Sequence, residues 1–144
     1  MSSVRDLMKQ KNRDVITIDC GATVLDGAVK MNKERIGGLV VMDGDKIIGI
    51  FTERDLMNRV IAAGRDPAEM PLCDAMTTKV ACCGPDTTIE ECRTVMSKHR
   101  VRHLPVVEGD KLVGILSIGD LLALEIEAKE QTIKYLHDYM TGPN

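Results

Sequence analysis

The chain has 144 residues, of which 44% are hydrophobic and 28% charged, with a net charge of −3. That size allows one domain or two small units sharing a core, and the acidic balance excludes the global basic field that draws in nucleic acid or anionic membrane. Phe51, Tyr135 and Tyr139 are its only aromatics, too few for a base-stacking platform, and no apolar run reaches the roughly 20 residues that span a bilayer.

A lead-in, Arg5-Asp6-Leu7-Met8, precedes a β-prone run, Val15-Ile16-Thr17-Ile18. The N-terminal stretch has no apolar signal core, which predicts a cytoplasmic protein. Thr23 is placed to cap an amphipathic helix in which Val24, Ala28 and Met31 fall at helical spacing. Leu39-Val40-Val41-Met42 predicts a second strand, and Asp43-Gly44-Asp45-Lys46 a hairpin turn. The third strand, Ile47-Ile48-Gly49-Ile50-Phe51, is almost wholly apolar and predicts burial on both faces. A helix is expected over residues 54–63, then a linker over 65–71 that contains Pro67 and Pro71.

The same order then recurs. A shift of 65 residues aligns 15–57 with 80–122 without a gap, with 14 identities over 43 positions, among them Met31/Met96, Arg35/Arg100, Gly44/Gly109, Gly49/Gly114 and Asp55/Asp120. A match of that length marks a structural duplication. The second copy supplies the strands Val80-Ala81-Cys82-Cys83, Pro105-Val106-Val107 and Leu112 to Leu116, with Thr88 as a helix cap. Its lead-in is Cys73-Asp74-Ala75-Met76. The implied division is 1–64 for the first unit, 65–71 for the linker, 72–123 for the second unit and 124–144 for a helical extension. Units of about 60 residues bury a marginal core alone, so the two are expected to pack together.

The extension carries a broken apolar stripe, Leu121, Leu122, Leu124, Ile126, Ile133, Leu136, Tyr139 and Met140, before a stop at Gly142-Pro143. A helix that outruns its domain either meets a second subunit or folds back on its own unit, and the first reading predicts a homodimer. Cys20, Cys73, Cys82, Cys83 and Cys92 form no C-x-x-C and have no histidine at ligand spacing, so they read as reduced, small apolar residues.

Each copy ends in one frame: Gly49-Ile50-Phe51-Thr52-Glu53-Arg54-Asp55 and Gly114-Ile115-Leu116-Ser117-Ile118-Gly119-Asp120. A hydroxyl and a carboxylate three apart at a strand-to-helix junction can cap the helix. They can equally hold a ligand that carries hydroxyl groups, because a carboxylate accepts bidentately from a cis-diol. The two copies differ around this frame: Arg54 faces Gly119, and Gly37-Gly38 faces Arg102-His103.

The tandem β-α-β-β-α repeat with Gly-apolar-apolar-Thr/Ser-x-x-Asp closing each copy resembles the cystathionine-β-synthase (CBS) domain pair, or Bateman module. The resemblance runs from Val4 to about Ala123 and includes Arg100-Val101-Arg102-His103-Leu104-Pro105-Val106-Val107. The tail is similar to that of stand-alone bacterial members. The resemblance implies an α+β fold of two motifs in a pseudo-twofold pair. It also implies clefts for AMP, ADP, ATP, NAD or S-adenosylmethionine.

By the same resemblance Thr52, Asp55, Ser117 and Asp120 would hold the ribose. Thr17, Ile36, Gly37, Cys82, Val101 and Pro105 would lie beside the base. Cations suited to phosphate are Arg54, Arg35, Arg100, Arg102 and His103; His99 and His137 read as exposed helix residues. The sequence shows no nucleophile–base pair, phosphate loop or metal cluster, so it predicts no catalysis, no catalytic cofactor and no metal. The expected role is a regulatory adenine-nucleotide sensor read by an unidentified partner protein. The alternative is a ligand-independent dimerisation module; a third reading, nucleic-acid binding through Arg100 and Arg102, has the acidic net charge against it.

Overall fold

The computed structural model describes residues 3–11 and 15–141. Helix α1 (Val4–Lys11) leads into β1 (Thr17–Asp19), α2 (Val24–Glu34), β2 (Gly38–Asp43) and β3 (Lys46–Thr52). A turn of helix, α3 (Glu53–Asp55), continues directly as a π-helix (Leu56–Ile61), and α4 (Leu72–Ala75) opens the second copy. Then come α5 (Ile89–His99), β4 (His103–Glu108), β5 (Lys111–Ser117) and α6 (Ile118–Thr141). β1 pairs parallel with β2 and β2 antiparallel with β3, while β4 and β5 form an antiparallel pair. The α+β class and the long C-terminal helix match the sequence reading. The side chain of Tyr139 and the Gly142-Pro143 stop lie outside the described residues.

The duplication reaches backbone detail. Thr23 and Thr88 each close a reciprocal capping box, with Asp26 and Glu91 as the returning carboxylates. Arg35 and Arg100 end α2 and α5 in the left-handed conformation, at φ 56° and 54°. Gly44 and Gly109 turn the two hairpins at φ +59° and +63°, a region that favours glycine. Both hairpins shift register at the same place, between Val41 and Met42 and between Val106 and Val107. An irregularity repeated 65 residues apart belongs to the shared unit.

Three expectations are corrected. The first strand of the second copy shrinks to a single bridge, Cys83 to Val106. The cause is Pro85, which stands where Cys20 stands in the first copy. The Cys20 amide donates to the Met42 carbonyl at 3.0 Å, and proline has no N–H for the equivalent bond. Second, the third strands are not buried throughout, since Val113 is 43% exposed and Ile47 and Ile48 are half-buried. Third, the helix after the first motif is a wide π-turn; the Ala62 amide reaches back five residues to the Met57 carbonyl at 2.8 Å. The second motif instead continues as regular α-helix.

The cores exchange their lead-ins. The first cluster packs Ile18, Val24, Met31, Leu39, Val41, Phe51 and Val60 against Leu72, Ala75 and Met76, which come from α4 and the residue after it. The second packs Cys83, Ile89, Cys92, Met96, Leu104, Val106, Leu116 and Leu121 against Val4 and Leu7 from α1. Each lead-in therefore seals the other copy. This ties the two marginal units into one structure. Val40 and Ile50 are also buried, on the sheet face opposite Leu39 and Val41.

Candidate functional site

The two motifs sit where β3 and β5 turn into helices. The Glu53 amide donates to the Gly37 carbonyl at 3.0 Å and the Ile118 amide to the Arg102 carbonyl at 2.8 Å, so each helix start is fastened to the entry of its neighbouring strand. This brings each motif beside the residues before β2 or β4. Ile36 and Gly37 thus lie beside the first motif, and Val101 and Arg102 beside the second.

In the first motif the capping reading is realised. The Thr52 amide and hydroxyl both donate to Asp55 Oδ2, at 3.0 and 3.2 Å, and the Asp55 amide donates back to Thr52 Oγ1 at 3.3 Å. The Thr77 hydroxyl donates to Asp55 Oδ1 at 3.0 Å, with Arg59 Nε at 3.7 Å. Asp55 is the buried charged side chain among the described residues, 7% exposed, and these donors offset its desolvation. Beside it lies a cavity of about 400 Å³ lined by Arg35, Ile36, Gly37, Glu53 and Leu56 together with α2. Arg35, Ile36 and Gly37 line this cavity together; Arg54 is exposed and, like Thr52 and Asp55, is not among the lining residues.

The second motif repeats the cap but not its surroundings. The Ser117 amide donates to Asp120 Oδ2 at 2.8 Å, and the Asp120 amide returns to Ser117 Oγ at 3.2 Å. Lys11 Nζ then donates to the same Oδ2 at 2.9 Å and to the Ile115 carbonyl at 2.8 Å. Burial pushes the Asp120 carboxyl up. The Lys11 ammonium and the Ser117 donors together outweigh it and hold the carboxyl below the usual range.

His103 lies between the copies. Its ring atoms come within 3.2 Å of the point where a Cβ on Gly38 would stand, and Gly38 is its own counterpart in the repeat. One copy's ring thus fills the space the other leaves empty. Burial lowers the His103 pKa, partly countered by the Glu53 and Asp120 carboxylates. The Glu53 carboxylate occupies the place of a Cβ on Gly37.

The remaining expected contacts are scattered. Arg100 and Arg102 are exposed, Pro105 is buried within β4, and Cys82 is exposed. Thr17 is half-buried, and its carbonyl accepts from Lys30 Nζ. All five cysteines are free thiols. Burial lifts Cys83 to about 12, which leaves it protonated and unreactive, whereas Cys73 and Cys82 are exposed rather than core residues. No group of three His, Cys, Asp or Glu that could hold a metal ion occurs among the described residues, nor any helix long and apolar enough to cross a membrane.

Sequence reading missed Lys11, Glu53, Arg59 and Thr77. Glu53 lay inside the motif and its charge was the available signal. Lys11 meets Asp120 across 109 residues, and nothing local announces that contact.

A duplicated strand–helix–strand–strand–helix unit with a hydroxyl–carboxylate pair at each closing junction defines a two-motif α+β fold. The sequence matches the CBS domain family twice, over residues 4–62 and 72–127, and the chain belongs to that family. It is 33% identical over 121 residues to the CBS domain-containing protein YhcV of Bacillus subtilis, covering 84% of each chain. A CBS-domain protein of known structure from Burkholderia ambifaria shares 37% identity at a TM-score of 0.84, over 88% of this chain and 95% of that one. The CBS domain pair of protein MJ0100, solved with 5′-methylthioadenosine and S-adenosyl-L-methionine, is 25% identical at a TM-score of 0.75, over 85% of this chain and 98% of that one. CBS pairs are regulatory modules, and this chain has the architecture of one.

Proposed function

We propose that the chain is a non-catalytic cytoplasmic sensor that binds an adenosine-containing ligand, AMP, ADP, ATP, NAD or S-adenosylmethionine, in the clefts between its two motifs. Binding would shift the packing of one copy on the other, and a partner protein would read that shift. The observation that carries the reading is the pair of carboxylates, Asp55 and Asp120, placed identically at two junctions beside Gly37 and Arg102. The adenosine derivatives held by the MJ0100 pair support it.

In this reading Asp55 and Asp120 accept from the ribose hydroxyls, with Thr52 and Ser117 beside them. Arg35, Arg54, Arg100, Arg102 and His103 serve phosphate. Thr17, Ile36, Gly37, Cys82, Val101 and Pro105 form the base surroundings. Isothermal titration with the five ligands tests it: heat at micromolar to millimolar ligand is expected, and no heat with no thermal shift at millimolar concentrations sinks it.

A second reading has its own observation. Both carboxylates already have internal partners, and α6 exposes Ile126, Ile133, Leu136 and Met140. A ligand-independent dimerisation module predicts a dimer whose melting temperature ignores every nucleotide.

A further inference from the structure

Lys11 takes over in the second copy what Thr77 does in the first. In the first copy the Thr77 amide donates to the Ile50 carbonyl at 2.8 Å, and its hydroxyl donates to Asp55 at 3.0 Å. Ile115 and Asp120 are the counterparts of Ile50 and Asp55, and there one ammonium meets both: Lys11 Nζ to the Ile115 carbonyl at 2.8 Å and to Asp120 Oδ2 at 2.9 Å. A neutral hydroxyl fixed by a paired backbone is thus replaced by a full charge on a flexible side chain. The pair is sheltered, with Lys11 and Asp120 side chains 19% and 21% exposed, so the attraction is less screened than at an open surface.

The consequence for a ligand is a matter of lone pairs and charge. Asp120 Oδ2 already accepts from the Ser117 amide and from Lys11, which uses its capacity. A diol can clasp both carboxylate oxygens only if Lys11 leaves. Once displaced, the ammonium stands in a half-buried place without its counterion, and a sheltered charge left unpaired is costly. A neutral nucleoside leaves that cost standing. A ligand that brings its own phosphate offers the ammonium a new partner.

We propose that Lys11 is the specificity-determining residue of the second cleft: it blocks the carboxylate against neutral nucleosides and yields to phosphorylated ones by exchanging Asp120 for phosphate. The inference rests on the adenosine-binding reading above and names the ligand class for one of its two clefts. In the first cleft Thr77 stands in place of Lys11, and the cation near Asp55, Arg59 at 3.7 Å, is half exposed and keeps the Met76 carbonyl as a partner, so displacing it strands no sheltered charge.

The test titrates AMP and adenosine into the full chain and into Lys11→Met and Lys11→Arg, following the amide resonances of Ile115, Ser117 and Asp120. These report on this cleft alone. The wild type and Lys11→Arg should prefer AMP. Lys11→Met should bind adenosine more tightly and AMP more weakly, so that the preference drops roughly tenfold, the scale of one charge-assisted hydrogen bond. A preference unchanged in Lys11→Met overturns this inference and leaves the binding site standing. Amides that do not move with either ligand at millimolar concentration, in any of the three proteins, overturn the site and this inference together.

Discussion

The Met76 sulfur lies 2.6 Å from the point where a Cβ on Gly49 would stand, and the Thr77 carbonyl lies 2.9 Å from it. The equivalent glycine, Gly114, is approached by the sulfur and terminal methyl of Met8 instead. The Thr77 carbonyl accepts from the Ile50 amide and cannot move aside without breaking that bridge, whereas the end of a methionine side chain can move. Gly49→Ala should therefore cost about 1–3 kcal/mol and Gly114→Ala clearly less, as measured by urea denaturation of the two variants. Equal costs would show that the exchanged lead-ins seal both copies alike.

These glycines also show what the sequence could and could not convey. Positions 49 and 114 are identical letters in matching frames, and the hairpins, turns and caps around them are closely alike; all of that was legible because it depends on local chemistry repeated 65 residues apart. What differs between the copies comes from segments far away in the chain. Pro85 in place of Cys20 was visible as a letter, but its effect needed the Met42 partner. Lys11 on Asp120 and His103 on Gly38 are contacts between copies, and local pattern carries no information about them. The π-helix over Leu56–Ile61 has no compositional mark that distinguishes it from ordinary helix.

Removing the two motif carboxylates should have unequal effects even without ligand. Asp55 is buried and serves Thr52, Thr77 and its own cap, so Asp55→Ala strips a capping box and leaves several donors unpaired. A loss of about 2–3 kcal/mol is expected. Asp120→Ala should cost about 1–2 kcal/mol, part of it from the stranded Lys11 ammonium. The double variant Lys11→Met/Asp120→Ala should consequently be less destabilised than the sum of the single ones, by about 1 kcal/mol. Strict additivity in chemical denaturation would mean that the ion pair contributes nothing.

His103 makes the fold sensitive to mild acid. Burial among the two copies holds its pKa below the ordinary value of 6.5, so the folded state prefers the neutral ring. As pH falls through 6.5 the unfolded chain takes up a proton that the folded chain resists. Stability then declines until the folded pKa is passed, and it is fully present above 6.5. Melting temperatures at pH 7.5 and pH 5.5 should differ more for the wild type than for His103→Gln, which keeps a polar side chain of similar reach without titrating. An identical pH slope in the two proteins would overturn the assignment to His103.

The last turns of α6 bear on the assembly. Leu121 is buried and Leu124 packs at the edge of the second core, but beyond them Ile126, Ile133, Leu136 and Met140 stand exposed, Met140 by 83%. Their spacing of seven, three and four residues lines them along one side of the helix. Such a stripe is stable in water when a second copy covers it, and Leu122 extends it toward the domain. Sedimentation at micromolar concentration should show a dimer for the full chain and a monomer after truncation beyond residue 127, which keeps every α6 residue of the core. Because the core is retained, the truncated protein should still melt cooperatively, and nucleotide binding should persist if the clefts lie within one chain. A full-length protein that sediments as a monomer would mean that the helix serves some purpose other than pairing two copies.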